Sequence, residues 1–199
     1  MRTLGVLLFP EFELLDVFGP LEVFGHRLAA HHYRVCTVAA DAGPVTSAQG
    51  PRVLADHGFV GGPPLDVLLV PGGMGTRREV DNAKLVRWIA ATAAVAEIVT
   101  SVCTGAALLA RAGVLDGRRA TTNKRAFDWV VTQGPCVEWI RKARWVEDGK
   151  FVTSSGVSAG IDMSLAVLES TVDPVTADDI ARAIEYRRHA DADDDPFAS

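Results

Sequence analysis

Residues 98–109 have the sequence IVTSVCTGAALL. A continuous apolar run of strand length comes first, and a helical pattern rich in Ala and Leu follows it without an intervening loop. Ser101 and Gly105 are small residues placed two positions before and two positions after Cys103. A sharp strand-to-helix turn that lifts one side chain above a sheet needs such small neighbours. The segment therefore predicts a buried strand that ends in a nucleophile elbow with Cys103 at its tip.

Similar apolar runs occur upstream, and continuous runs of this length are typical of parallel strands covered on both faces. Helical patterns, with apolar residues every three or four positions, separate them. This alternation predicts an α/β fold: a doubly wound, mostly parallel sheet with helices on both faces. The predicted strands are Leu4–Phe9, Tyr33–Ala40, Asp66–Val70 and Ile98–Val102, and the predicted helices are Val17–Ala30 and Asn82–Ala94.

The second half of the chain has a different pattern. Arg144–Val146 and Phe151–Thr153 flank residues 147–150, in which Asp148-Gly149 is a turn signal, so a small antiparallel hairpin is expected. The segment from residue 158 to about residue 188 predicts two helices. They are broken at Asp173-Pro174, because proline suits the first position of a helix.

Composition limits the class of protein. The chain has 199 residues, 48% of them hydrophobic, which predicts one domain over residues 1–188. Four acids in the last ten residues predict a solvated, flexible tail over 189–199, and the net charge is −5. The sequence has no basic stripe that would indicate a nucleic-acid partner. It also has no apolar run long enough to indicate a membrane partner. Three dispersed cysteines and no signal peptide favour a reducing, cytoplasmic location.

Cys103 is the leading candidate for chemistry, because ligands of such sheets bind at the carboxyl ends of the strands. The N-terminus of a helix favours a thiolate, so we expect the pKa of Cys103 to be lowered. The alternative is a small core cysteine, which is our interpretation of Cys36, and Cys136 is interpreted as structural.

A glycine-rich turn follows the strand Asp66–Val70 and includes Gly72 and Gly73. Glycines there allow bare backbone N–H groups to face a ligand. The N–H groups of Gly73 and Thr104 could together form an oxyanion hole beside the Cys103 sulfur. The alternative is a tight turn that only requires a positive φ.

Asp16 lies between apolar residues near the start of the first predicted helix. An acid in apolar surroundings can have a raised pKa and act as a general acid or base. The alternative role is that of an N-cap, for which Asp is well suited. Glu11 and Glu13 are rivals for the acid, but their position before the helix predicts exposure.

Metal and phosphate chemistry are not indicated. The five histidines form neither an HExxH motif nor a cluster with cysteines, so no metal site is predicted. No Walker loop occurs. The residue after Cys103 is Thr104 rather than a histidine, so no Cys-His dyad can be assigned.

Several segments together resemble the ThiJ/PfpI superfamily, which has the class I glutamine amidotransferase-like fold, and within it the isonitrile (isocyanide) hydratase branch. The resemblance implies that Cys103 is the nucleophile, that Asp16 is the acid beside it, and that Gly73 and Thr104 supply backbone donors. It also implies a homodimer without a cofactor. The matching segments are Leu7–Pro10, Leu15–Val17, Gly19-Pro20, Pro71–Gly73, Thr100–Gly105, Arg118–Thr122 and Ser158–Asp162.

One departure from the family pattern concerns the substrate. Hydratase-like sequences commonly have Thr-Thr-His-Trp where this chain has Thr121-Thr122-Asn123-Lys124. With Gly72, Gly73 and Thr104, Asn123 is therefore expected to contact the substrate or an oxyanion.

The leading hypothesis is a cysteine-dependent hydration of a small-molecule isocyanide to an N-formamide, through addition of Cys103 to the terminal carbon. A second hypothesis keeps the nucleophile and changes the electrophile to a 2-oxoaldehyde or an amide. A third is a sensing module in which Cys103 is oxidised and no substrate is turned over.

Overall fold

The computed structural model describes residues 1–198. The strands and helices alternate through most of the chain. The strands are β1 (Arg2–Leu7), β2 (Tyr33–Ala39), β3 (Gly43–Thr46), β4 (Arg52–Ala55), β5 (His57–Gly58), β6 (Val67–Val70), β7 (Ile98–Ser101), β8 (Arg119–Ala120), β9 (Glu138–Trp139), β10 (Trp145–Asp148) and β11 (Phe151–Ser154). The helices are α1 (Leu14–Phe24), α2 (Thr76–Glu79), α3 (Ala83–Val95), α4 (Gly105–Arg111), α5 (Phe127–Val131), α6 (Ala159–Thr171) and α7 (Pro174–Ala183).

A seven-stranded sheet in the order β10-β11-β7-β6-β1-β2-β5 forms the centre of the molecule. All of its neighbouring strands are parallel except β10 and β11. Every residue of β6 is buried, as expected of a central strand covered on both faces. The α/β class and the presence of the four predicted strands are confirmed, although β1 spans Arg2–Leu7 instead of Leu4–Phe9.

The sheet is wound in two directions from its middle. The crossover from β1 to β2 steps one way across the sheet, and the crossover from β6 to β7 steps the other way. Because such crossovers are right-handed, α1 and α3 lie on opposite faces. The direction changes between β1 and β6, so the ligand crevice is expected at the carboxyl ends of these strands.

The predicted hairpin is present with a tighter turn than expected. β10 continues to Asp148, which pairs with Phe151, so the turn is Gly149-Lys150 rather than four residues. Gly149 has a φ of 60°, which suits glycine at this position. The Asp148 carboxylate accepts the backbone N–H of Arg119 at 2.8 Å, which fixes the end of the strand against β8.

The predicted helix boundaries are partly wrong. The first helix begins at Leu14 and ends at Phe24, where Gly25 caps it, instead of spanning Val17–Ala30. Pro174 is the first residue of α7, as predicted, and the Asp173 carboxylate accepts the backbone N–H of Thr176 at 2.8 Å. No helix in residues 1–198 has both the length and the hydrophobicity that a membrane crossing requires.

The acidic tail is not solvated throughout. The carbonyl oxygen of Ala192 accepts the backbone N–H of Arg144 at 2.7 Å, and the N–H of Asp195 donates to the carbonyl oxygen of Lys142 at 2.8 Å. Asp195 is buried beside Arg144. The prediction of a solvated tail is wrong at Asp195, because this charge has a buried partner that composition does not reveal. The flexibility of the tail stays a prediction.

Candidate active site

Cys103 lies in a sharp turn between the end of β7 and the start of α4, and it is buried. Its φ is 58°, in the left-handed region that non-glycine residues rarely adopt. Its backbone N–H donates to the carbonyl oxygen of Ser155 at 3.0 Å. Its carbonyl oxygen accepts the Thr122 hydroxyl at 2.7 Å. Both backbone groups are therefore held, and the surroundings impose the strained conformation.

The small residues around the elbow are required by close packing. A Cβ at Gly105 would lie 2.2 Å from the carbonyl oxygen of Val70, at the end of β6. A Cβ at Gly160, in the first turn of α6, would lie 2.8 Å from the Val102 side chain. The elbow is therefore confined between the neighbouring strand and the following helix, as the sequence pattern predicts.

Asp16 is the third residue of α1 and is fully buried. Its Oδ2 accepts the backbone N–H of Gly72 at 2.8 Å, whereas its Oδ1 is buried without a hydrogen-bond partner in the described part of the chain. The N-cap of α1 is Glu13, so the alternative that Asp16 caps the helix is wrong. Burial raises the pKa of Asp16 to about 7, and the nearby Glu13 charge adds to this, while Gly72 and the Cys103 thiol oppose it.

Gly72 lies between the Asp16 carboxylate and the elbow, in close contact with both. A Cβ there would lie 2.5 Å from the backbone nitrogen of Thr104 and 2.9 Å from Asp16 Oδ2. No other residue fits between these two groups without moving them. The glycine is thus a condition for the approach of the acid to the thiol.

Gly73 adopts a φ of 129°, and its N–H donates to Thr104 Oγ1 at 3.1 Å. Thr104 Oγ1 also accepts the Thr76 hydroxyl at 3.1 Å. The Gly73 N–H therefore already has a partner, so it is not available as the free oxyanion donor that the sequence suggests. The N–H groups of Thr104 and Val157 face the Cys103 sulfur instead.

The pKa of Cys103 is raised, and the predicted lowering is wrong. Burial is the main cause, and the negative charge of Asp16 adds to it. Hydrogen bonds from the backbone of Thr104 and Val157 and from the Asn123 side chain act in the opposite direction but are weaker. Cys103 is thus a thiol that needs a base, rather than a preformed thiolate.

Asn123 lies beside the thiol with its amide orientation fixed. Its Oδ1 accepts the backbone N–H of Ala126 at 3.0 Å, so its Nδ2 is the group that can donate to the sulfur. A Cβ at Gly156 would lie 2.4 Å from that Nδ2. Asn123, which stands where hydratase-like sequences commonly have a histidine, is therefore within hydrogen-bond reach of the Cys103 thiol.

A cavity of about 450 Å³ opens onto Cys103, Thr104 and Asn123. Glu13 lines it as well, and its carboxylate accepts the Gln49 side chain. The expected exposure holds for Glu11, which forms an ion pair with Arg78 at 3.0 Å, but not for Glu13, which is only half-exposed. Asp16 is beside Cys103 but is not among the residues that line the cavity.

The sequence did not predict a functional role for three residues that contact Cys103: Thr122, Ser155 and Val157. Thr122 belongs to a matching family segment, which is a signal that could have identified it. Ser155 and Val157 act through backbone groups, for which side-chain identity gives no signal. No group of three or more potential metal ligands occurs within residues 1–198.

The family model described as the DJ-1/PfpI family matches residues 2–170. This chain belongs to the DJ-1/PfpI family. An isonitrile hydratase of Pseudomonas putida is 37% identical over 183 residues, which cover 92% of this chain and 78% of that protein. A deglycase of Pyrococcus abyssi is 32% identical, over 77% of this chain and 89% of that protein.

Other relatives in the DJ-1/PfpI family are regulators. An HTH-type transcriptional regulator of Pseudomonas aeruginosa is 31% identical over 86% of this chain, but the match spans only 51% of the regulator. Among solved structures, a ThiJ/PfpI family protein from Pseudomonas syringae superposes with a TM-score of 0.86 at 30% identity, over 94% of this chain and 76% of that one. The family contains more than one activity, so membership alone does not assign a substrate.

Proposed function

We propose that this protein is a cysteine-dependent hydratase that converts isocyanides into N-substituted formamides. The observation that supports it most directly is the buried pair of the Cys103 thiol and the Asp16 carboxyl, whose pKa of about 7 allows it to gain and lose a proton near neutral pH. A general acid and base is most effective when its pKa is near the working pH. The similarity to an isonitrile hydratase supports the same substrate class.

The first step joins sulfur to carbon. Asp16, as a carboxylate, takes the thiol proton while the Cys103 sulfur bonds to the terminal carbon of the isocyanide. Protonated Asp16 then returns the proton to that carbon, which gives a thioimidate, R–N=CH–S–Cys103. The hydrogen bonds from Asn123, Thr104 and Val157 stabilise negative charge on sulfur as the thiol is deprotonated.

The second step adds water to the same carbon. One water proton goes to nitrogen, and the oxygen bonds to carbon, which gives R–NH–CH(OH)–S–Cys103. The carbon–sulfur bond then breaks, the hydroxyl proton returns to sulfur through Asp16, and the formamide R–NH–CHO leaves. The net reaction is the addition of one water to one isocyanide, and covalent catalysis divides it into two easier additions.

The first proposed step does not use the Gly73 N–H. Addition to an isocyanide carbon builds no oxyanion in this step, so it needs no donor for a negatively charged oxygen. The contact of the Gly73 N–H with Thr104 Oγ1 at 3.1 Å is therefore compatible with the proposed reaction.

The test is turnover of cyclohexyl isocyanide, with formamide followed by proton NMR. We expect turnover by the wild type and none by Cys103→Ala. Cys136→Ala is the matched control, because this free cysteine is exposed and its loss should leave the rate unchanged. Equal rates for Cys103→Ala and wild type, or no formamide with the wild type, would refute the proposal.

A further inference from the structure

The C-terminal tail, residues 189–198, is anchored by a buried ion cluster, which we call the latch: Arg144, Asp162 and Asp195. The Asp195 carboxylate lies 3.5 Å from Arg144 Nη1, and both side chains are at most 5% exposed. Arg144 Nη2 lies 2.6 Å from Asp162 Oδ2 on α6. The tail is therefore tied to the body of the protein at Asp195 by charge as well as by backbone hydrogen bonds.

Phe197 lies two residues after Asp195 of the latch, and hydrogen bonds to Asp195 fix its position. The Phe197 N–H donates to Asp195 Oδ1 at 2.8 Å, and the Ala198 N–H donates to the carbonyl oxygen of Asp195 at 2.9 Å. These bonds close a tight turn around a buried aspartate. Phe197 is nevertheless 72% exposed as a residue, so the turn holds a large apolar side chain at the surface.

The exposed ring stands at the edge of the active site. Phe197 lines a mostly apolar cavity of about 390 Å³ together with Asn123, Arg125 and Val157. The same three residues line the cavity that opens onto Cys103. The two cavities thus adjoin, and a group that extends from Cys103 past Asn123 enters the space beside Phe197.

We propose that Phe197 is the apolar wall of a subsite for the substituent on the nitrogen of the isocyanide, and that the latch positions it there. The inference rests on the proposed function for the identity of the substrate. The isocyano group is narrow and linear, so a substituent bonded to its nitrogen is directed away from Cys103. An aryl substituent packs against the Phe197 ring, whereas a methyl group does not reach it, and this makes the protein selective for aryl over methyl isocyanides.

The test compares substrates on variants of the full chain. We expect Phe197→Ala to lower the ratio of kcat/KM for phenyl isocyanide to that for methyl isocyanide about fivefold, and Phe197→Leu to restore part of it. Asp195→Asn should lower the ratio similarly, because it weakens the latch. Asp194→Asn is the matched control: it removes the same charge from an exposed neighbour and should leave the ratio unchanged.

A second readout does not depend on hydration. The rates at which N-phenylmaleimide and N-methylmaleimide alkylate Cys103, located by peptide mass spectrometry, give the same selectivity ratio. A lower ratio in Phe197→Ala without any formamide from the wild type would support the subsite and refute the hydratase. Unchanged ratios in both assays, from a wild type that makes formamide, would refute the subsite and leave the hydratase standing.

Discussion

Asp16 and Asp162 are both fully buried, but the protein treats their charges differently. Asp162 receives hydrogen bonds from the Arg144 guanidinium at 2.7 Å, the Tyr186 hydroxyl at 3.1 Å and the His189 N–H at 2.9 Å. Asp16 receives one backbone N–H, from Gly72, and one of its oxygens has no partner among the described residues.

The difference is the basis for proposing a structural role for Asp162 and a chemical role for Asp16. A buried carboxylate with a cation and several donors joins elements, here α6, β10 and the tail. A buried carboxylate with one backbone donor and one thiol beside it, but no cation, is costly as an anion, so its proton affinity rises toward the range in which it can exchange protons. Two aspartates of equal burial thus have very different partners, and we propose that their roles differ for this reason.

The largest effect expected from changing either aspartate is the loss of catalysis when Asp16 is replaced. Asp16→Asn keeps the shape and can still accept the Gly72 N–H, but it cannot take the thiol proton. We expect kcat/KM for isocyanide hydration to fall by about 10²–10⁴-fold. In the wild type the same quantity should rise with pH through about 7, because Asp16 must be ionised to act as the base. A flat pH profile together with an active Asp16→Asn variant would remove Asp16 from the mechanism.

The next largest effect is expected on stability at Asp162. Asp162→Asn leaves the buried Arg144 with a reduced counter-charge, and removal of one partner of a buried pair typically costs about 3–5 kcal/mol. Urea unfolding followed by tryptophan fluorescence measures the loss. A decrease below about 1 kcal/mol in the free energy of unfolding would contradict the structural role of Asp162, because a surface ion pair contributes as much.

Asp16→Asn should have the opposite effect on stability. The pKa of Asp16 is higher in the folded protein than in the unfolded chain, so wild-type stability falls as pH rises from about 4 to about 7. The neutral variant escapes this penalty. We expect it to exceed the wild type by about 1–4 kcal/mol at pH 8, with the difference vanishing near pH 4. Parallel urea curves at the two pH values test the sign, and a variant less stable at pH 8 would contradict it.

The smallest effect is expected on kcat when the uncharged side chain of Thr122, which contacts the elbow, is changed. Thr122→Val keeps the volume but removes the hydroxyl that donates to the Cys103 carbonyl oxygen at 2.7 Å. One buried hydrogen bond corresponds to about 1 kcal/mol, so kcat should fall about fivefold with little change in KM. Thr122→Ser, which restores the donor, is the control. Equal kcat values for Thr122→Val and Thr122→Ser would show that the elbow keeps its conformation without the hydrogen bond from the Thr122 hydroxyl to the Cys103 carbonyl oxygen.

The sequence predicts the strands, the hairpin and the elbow because their apolar patterns and small residues are local. It does not predict the environment of Asp16, because the burial of that residue depends on where α1 begins and on the approach of Gly72 from another strand. The pKa of Cys103 was predicted with the wrong sign. The position at a helix start is visible in the sequence, whereas the depth of burial and the Asp16 charge, which outweigh it, are properties of the tertiary structure.

The tail illustrates the same limit at longer range. Four acids near the chain end resemble a solvated segment by composition, but Asp195 is paired with an arginine that lies before β10. Asn123 could be singled out only by comparison with a family motif. Its amide orientation follows from a backbone N–H three residues later, which only the folded chain supplies.

The strand order has a consequence for how the site comes into being. β11 pairs with β7, and the carbonyl group of Ser155 that holds the Cys103 N–H follows β11 directly. During synthesis Cys103 is therefore made long before the segment that buries it and fixes its turn. Until then its thiol is solvated and has an ordinary pKa, so it reacts more readily with alkylating agents than in the native protein. A pulse of such an agent during refolding would mark the chains in which β11 has not yet docked, so the labelling of Cys103 would report when β11 pairs with β7.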